Sequence, residues 1–195
     1  MIETRALELI ELTSMKGLFL AASPAMEDPR FAETLILMVH HDAKGAAGFV
    51  INMPVANLSF YELLEQLKLD NPEGVTDHMV FQGGPVQANN GFVIYEAAMG
   101  LRDEAHVTDD LFYSRSIESL KRISEGRGPD RYSICLGRAE WAPGQLEAEL
   151  KENVWLPVPV EKDLVFGDVP ENIWATALGT QGINAANFTK VAGHA

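Results

Sequence analysis

The chain has 195 residues, 47% of them hydrophobic, and 28 acidic residues against 15 basic ones for a net charge of −13. These totals fit one folded domain, at most two, with a real core. They work against general binding to nucleic acid, whose affinity comes mostly from basic groups meeting phosphates.

A single cysteine, Cys135, excludes an internal disulfide and suits a reducing compartment. No apolar run approaches membrane-spanning length; Leu35 to Val39 is typical of the longest. Glu3, Arg5, Glu8 and Glu11 interrupt the first residues, which is unlike a signal peptide. The expected location is cytoplasmic, with no membrane partner. Residues 1–15 read as an extension, and 16–195 as one domain without repeat or linker.

Residues 2–12 carry Ala6, Leu9 and Ile10 on one face and read as a short helix outside the core. Gly17 to Ala22 reads as a strand, and Ser23 to Arg30 as a loop punctuated by prolines. Leu35–His41 and Gly48–Asn52 flank a turn around Asp42 to Gly45, so 35–52 reads as a hairpin. Pro54 is expected to end that pairing. Ser59 and Glu62 stand three apart as a capping box, and Phe60, Leu63, Leu64 and Leu67 make one apolar stripe behind it.

Met79–Gln82 and Gly91–Glu96 are strands separated by the turn Gly83-Gly84-Pro85. Ala105–Thr108 and Leu111–Tyr113 add short strands. Arg115–Glu125 is a helix with Ile117, Leu120 and Ser124 inward and Glu118–Arg122 paired outside. Tyr132–Leu136 is a central strand, followed by a turn over Gly137–Trp141 and a helix that Pro143 starts. Leu146, Leu150 and Val154 form its buried edge. Trp155–Val160 is extended and broken by Pro157 and Pro159. Asp168–Leu178 is a last helix, capped by Asp168 and Glu171, with Ile173, Trp174 and Ala177 inward.

Unbroken apolar runs at 35–39, 92–95 and 134–136 mark strands covered on both faces. Helices do not alternate one by one with strands. The expected fold is therefore α+β, with a mixed, mostly antiparallel sheet partly curled into a barrel and helices packed around it.

The chemistry-bearing residues form no familiar set. His40 and His41 are adjacent on a strand and leave opposite faces, so they cannot share one ion. No HExxH, CxxC, GxSxG or phosphate-cradling loop is present. Metal and cofactor are accordingly expected to be none, and catalytic residues none. Cys135 between Ile134 and Leu136 reads as a small core residue. Asp109-Asp110 and Glu147/Glu149 read as a solvated acidic face. Glu140 beside Trp141 raises the question of a perturbed carboxyl. Arg115, Lys121, Arg122, Arg127, Arg131 and Arg138 outnumber the local acids by three and could form a small anion patch. No nucleic-acid-binding motif accompanies them.

Taken in order, several segments resemble the YqgE/AlgH family of bacterial proteins. They are GLFLAASP from Gly17, DPRF from Asp28, and His40-His41 with GAAGFVINMP from Gly45. Gly83-Gly84-Pro85, Gly91-Phe92, Leu136-Gly137, Trp141 with GQLE from Gly144, Asn153-Val154-Trp155 and the terminal Val191-Ala-Gly-His-Ala195 complete the set. The resemblance implies a single α+β domain and carries a regulatory label, from a proposed regulator of alginate synthesis. Met53, Arg138 and Glu140 depart from the family's usual pattern.

The expected function is binding, with a possible regulatory outcome, to an unidentified protein or small molecule. The expected surface comprises Asn52, Gly83, Gly84, Pro85, Arg138, Glu140, Trp141, Gly144 and Gln145. The alternative is a small-molecule-binding protein or enzyme with a pocket near the Gly137–Gln145 turn, lined by Asn52, Gln82, Cys135 and Glu140.

Overall fold

A computed structural model describes residues 14–115, 117–167 and 170–185. The expected helix at 2–12, the Asp168 cap and the tail 191–195 lie outside these residues. The chain builds β1 (Leu18–Ala22), β2 (Leu35–Asp42), β3 (Gly45–Val50) and β4 (Pro54–Ser59), then α1 (Phe60–Gln66). Next come β5 (Met79–Gln82), β6 (Val86–Glu96), β7 (Ala105–His106), β8 (Leu111–Ser114) and α2 (Ile117–Ser124). It ends with β9 (Tyr132–Trp141), α3 (Gln145–Lys151), β10 (Trp155–Pro159), α4 (Lys162–Val165) and α5 (Pro170–Thr180). The fold is α+β, as expected: a mixed, mostly antiparallel half-barrel sheet with helices packed on it.

The sheet runs β10-β1-β2-β3-β9-β6-β8-β7, with β4 and β5 attached beside β9. Strand alternation sorts its side chains into two layers. Phe19, Leu37, Phe49, Phe92 and Cys135 point to the face that closes on itself, where α5 adds Ile173, Trp174 and Leu178. The opposite face is covered in two places. Leu146 and Leu150 of α3 cover Ile36, Val50 and Trp141. Phe60 and Leu64 of α1, with Leu120 and Ile123 of α2, cover Val80, Val93 and Ile134. This double cover explains the unbroken apolar runs.

β9 organises the sheet. One of its edges pairs with β6. The other pairs first with β5, in parallel through Val80–Ile134 to Gln82–Leu136, and then with β3 through Ala46–Trp141 to Gly48–Ala139. The chain must therefore pass from one side of β9 to the other within Gly83-Gly84-Pro85. It passes so close that a Cβ on Gly84 would lie 2.1 Å from the Arg138 carbonyl carbon. A Cβ on Gly137 would lie 2.3 Å from the Gly84 oxygen, and both glycines have positive φ, +151° and +71°. Only glycine fits such a backbone-on-backbone crossing. Gly83 ties the junction together by donating to Leu136 O (2.8 Å) and accepting from Val50 N (2.8 Å).

The expected elements change in six places. Gly137–Trp141 is not a turn but the second half of β9, because a left-handed glycine bends the strand without ending it. Pro54 does not end pairing: it opens β4 opposite Phe81, a first-residue position that needs no donor. Pro157 and Pro159 do not break β10, which is an edge strand paired to β1 from Trp155 to Pro159. Helix α2 buries Ser119, Leu120 and Ile123, while Ile117 is exposed, so its inward face is rotated from the expected one. Pro143 precedes α3, whose N-cap is Gly144, and Leu67 lies exposed just past α1. The capping box holds: Ser59 Oγ accepts from Glu62 N (3.3 Å), and Glu62 Oε2 accepts from Ser59 N (2.7 Å).

The crossing predicts a sharp contrast between glycines. Gly84→Ala should cost more than about 3 kcal/mol in urea unfolding, from steric overlap with strained backbone. Gly74→Ala, with positive φ but nothing within 4 Å, should cost only about 1 kcal/mol. Equal losses at both positions would show that the close approach does not matter.

Candidate functional site

Each residue of the expected surface has a place in the architecture. Asn52 clips the start of β2: its Oδ1 accepts from Leu35 N and its Nδ2 donates to Glu33 O, both at 2.8 Å. Gly83, Gly84 and Pro85 form the crossing. Trp141 is 6% exposed, and its indole N–H donates to Glu149 Oε2 (2.8 Å). Trp155 donates to the same oxygen at 2.7 Å, and the two indoles meet edge-on at 5.9 Å. Gln145 accepts from Ala142 N (3.0 Å) and donates to Glu149 Oε1 (2.8 Å), while Gly144 caps α3. Glu149 is thus a structural acceptor for two tryptophans and not part of a merely solvated face. Glu147 likewise meets the buried His41 ring at 3.2 Å. A bond from its own amide, and after it the His41 ring, holds the Glu147 carboxyl below its ordinary value.

Arg138 and Glu140 face away from Trp141. Cross-strand register aligns His40 with Ala47 and Ala47 with Glu140, and aligns His41 with Ala46 and Ala46 with Trp141. His41 and Trp141 therefore share the face under α3, and His40 and Glu140 share the other. Arg138 Nε donates to Glu140 Oε1 at 2.6 Å. The two border a shallow cavity of about 270 Å³ with His40, Lys44 and Tyr113. Asn52, Gln82, Cys135 and Glu140 do not share a pocket: Asn52 is the clip, Gln82 is exposed, and Cys135 is sealed in the core. Burial pushes the Cys135 thiol up to about 12, so thiolate is scarce at neutral pH.

The basic run between Arg115 and Arg138 is largely neutralised. Arg122 pairs with Glu118 (3.5 Å), Arg131 with Asp163 (2.7 Å), Arg127 with Glu125, and Arg138 with Glu140. Among the described residues, no group of three or more His, Cys, Asp or Glu side chains could hold a metal ion. Nor is any helix among the described residues long and apolar enough to cross a membrane.

One cavity was not anticipated. It measures about 880 Å³ and lies where the β4–α1 junction, residues 75–79, the start of β9 and the end of α4 meet. Loop residues far apart in sequence build it, so no local motif announces it. Ser133, 4% exposed, lines it, as does Tyr132. Ser133 Oγ and Tyr132 Oη are buried and have no hydrogen-bond partner among the described residues. Burial, and then the nearby Tyr61 hydroxyl, pushes the Tyr132 phenol up to about 12, so it stays neutral. The His78 ring stacks on Phe60 at 4.6 Å and meets Tyr132 edge-on at 5.1 Å. The Arg131 guanidinium lies 5.0 Å over the Phe166 ring.

A family model described as AlgH-like matches residues 19–186. The chain is 40% identical over 185 residues to the UPF0301 protein AlgH of Pseudomonas aeruginosa, covering 94% of this chain and 97% of that protein. It is 37% identical over 186 residues to a UPF0301 protein of Thiobacillus denitrificans, covering 95% and 100%. The solution structure of the AlgH protein from P. aeruginosa superposes with a TM-score of 0.74 at 39% identity, over 94% of this chain and 97% of that one. A crystal structure of a Corynebacterium diphtheriae protein gives 0.71 at 18% identity over 89% and 91%, a likeness of fold alone.

Two outcomes follow from the geometry. Glu149→Ala orphans two indole donors and should cost about 2–4 kcal/mol in urea unfolding, with Glu149→Gln costing roughly half as much because one acceptor remains. A loss below about 0.5 kcal/mol for Glu149→Ala would refute the shared-acceptor role. Cys135 should resist iodoacetamide at about pH 8 in the native protein and react once unfolded; fast native alkylation would contradict its burial.

Proposed function

Since the chain belongs to the AlgH-like family, we propose that it acts by binding a small molecule in the cleft at Tyr132 and Ser133. One observation carries this reading. Two buried hydroxyls line a cavity of about 880 Å³ and find no partner among the described residues. A buried, unpaired hydroxyl costs about 1–3 kcal/mol, and native proteins keep such groups rare. A ligand's polar atoms supply the missing partners. The volume is of the size that small-molecule sites have.

The contrast with the Gly83–Pro85 and Arg138–Gln145 region supports the choice. There the charged and indole groups are already paired, and Gly83 and Gly84 are packed against backbone. That region is proposed to be the frame that holds the cleft, with the shallow Arg138–Glu140 cavity as a secondary surface. Any regulatory role then works through ligand occupancy and not through contact with duplex DNA. The net charge of −13 and the paired arginines support that exclusion.

Three measurements test the reading. Aromatic fragments screened by NMR should perturb amides 75–79 and 131–133. Perturbations centred on 138–141 would move the site. Ser133→Ala removes the unpaired hydroxyl and should raise stability by about 1 kcal/mol while weakening every fragment bound in the cleft; a destabilised variant would mean that the hydroxyl is already satisfied. Duplex DNA should show no retardation at low salt, and steeply salt-dependent retardation would contradict the exclusion.

A further inference from the structure

We infer that the ligand of this cleft is an organic cation, a flat or apolar body carrying at least one amine. This rests on the binding reading above and adds the ligand's charge and shape. The charge follows from the lining. Glu62, Asp77 and Asp130 line the cleft against one basic residue, Arg131. That guanidinium is already covered by Asp163 at 2.7 Å and Glu96 at 3.6 Å. Asp77 is held ionised: burial pulls its carboxyl up, but bonds from the Tyr61 amide, the Ser59 hydroxyl and the His78 amide more than offset this, leaving it below its ordinary value.

A second trough, of about 700 Å³, continues from the cleft across the shared residues Ser59, Glu62 and Asp77. It adds Glu65 and Asp70 and no basic residue. An anion entering either space would meet like charge in a medium less polar than water, where repulsion is strong. A cation would meet complementary potential, focused by the concave walls.

The shape follows from the walls. Tyr132, Phe81, Phe166 and the His78 ring offer aromatic surface, which attracts both flat apolar bodies and cations over a ring face. Ser133 Oγ and Tyr132 Oη can each accept a hydrogen bond, and an ammonium group donates without accepting. An amine in the acidic portion, with its carbon frame against the rings, therefore meets the unpaired hydroxyls and the excess carboxylates with one molecule. A phosphorylated or carboxylated ligand of the same frame meets only the hydroxyls.

The test compares three probes that share one ring system and differ in charge: tryptamine, tryptophol and indoleacetate. Binding is followed by NMR shifts of the Asp77, His78 and Ser133 amides in the full chain. Tryptamine should bind about tenfold or more tightly than indoleacetate, with neutral tryptophol between. Asp130→Asn, at an exposed position, and Asp77→Asn should each shrink that ratio, while Ser133→Ala should weaken tryptamine and tryptophol alike. If indoleacetate binds as tightly as tryptamine or more tightly, the cationic class is overturned and the cleft remains a binding site. If none of the three moves the cleft amides, both the class and the binding reading fail. A charge ratio unaltered by Asp130→Asn, whose fold is not at stake, would also overturn the assignment.

Discussion

The structure turns on one close approach of backbone to backbone. Strand β9 needs partners on both edges, and the chain that supplies them crosses over it in three residues. Gly83, Gly84 and Gly137 allow this because none has a Cβ to keep the two chains apart. The crossing also sets direction. It places β5 parallel and β6 antiparallel to β9, and the bend at Gly137 lets the same edge pass from β5 to β3. Beyond that bend, Trp141 turns toward α3, and Arg138 and Glu140 turn the other way. Two differently covered halves of the sheet are joined there in one continuous strand.

Two regions of the molecule differ in how completely their polar groups are satisfied. Around β9's second half, carboxylates, indoles and guanidinium are paired with each other, and the Asn52 amide bonds backbone at both ends. Such a network rigidifies, and it has little left with which to recognise anything. Around β9's first half, two hydroxyls have no partner among the described residues and lie beside an excess of carboxylates. The same strand therefore carries a paired network at one end and part of the cleft wall at the other.

Much of the fold was legible in the sequence. Runs such as Leu35–Val39 carry the signature of strands buried on both sides, and Ser59–Glu62 fixed a helix start through its own hydrogen bonds. The misread strands share one cause. Glycine and proline read locally as stops, and here they mark a bend at 137 and edges at 54, 157 and 159. Whether such a residue ends a strand depends on which neighbour lies beside it, and that is long-range information. The tryptophan–carboxylate cluster stayed hidden because Glu149 looks, by composition, like any exposed helical acid. The cleft stayed hidden because Asp77, Ser133 and Phe166 lie in three separate loops or strand ends and are brought together only by the fold.

The borders of the sheet carry a consequence for behaviour at high protein concentration. β10 closes one end with prolines at alternate positions, which places their missing donors along a single side. Because pairing with β1 runs from Trp155 to Pro159, that side is the outward one. An incoming strand from another molecule would find gaps where it needs amide protons. The opposite end stops at the two-residue β7, too short a template for an intruder. These two ends of the strand order are thus blunted, and a crowded solution of this protein is shielded there from edge-to-edge polymerisation.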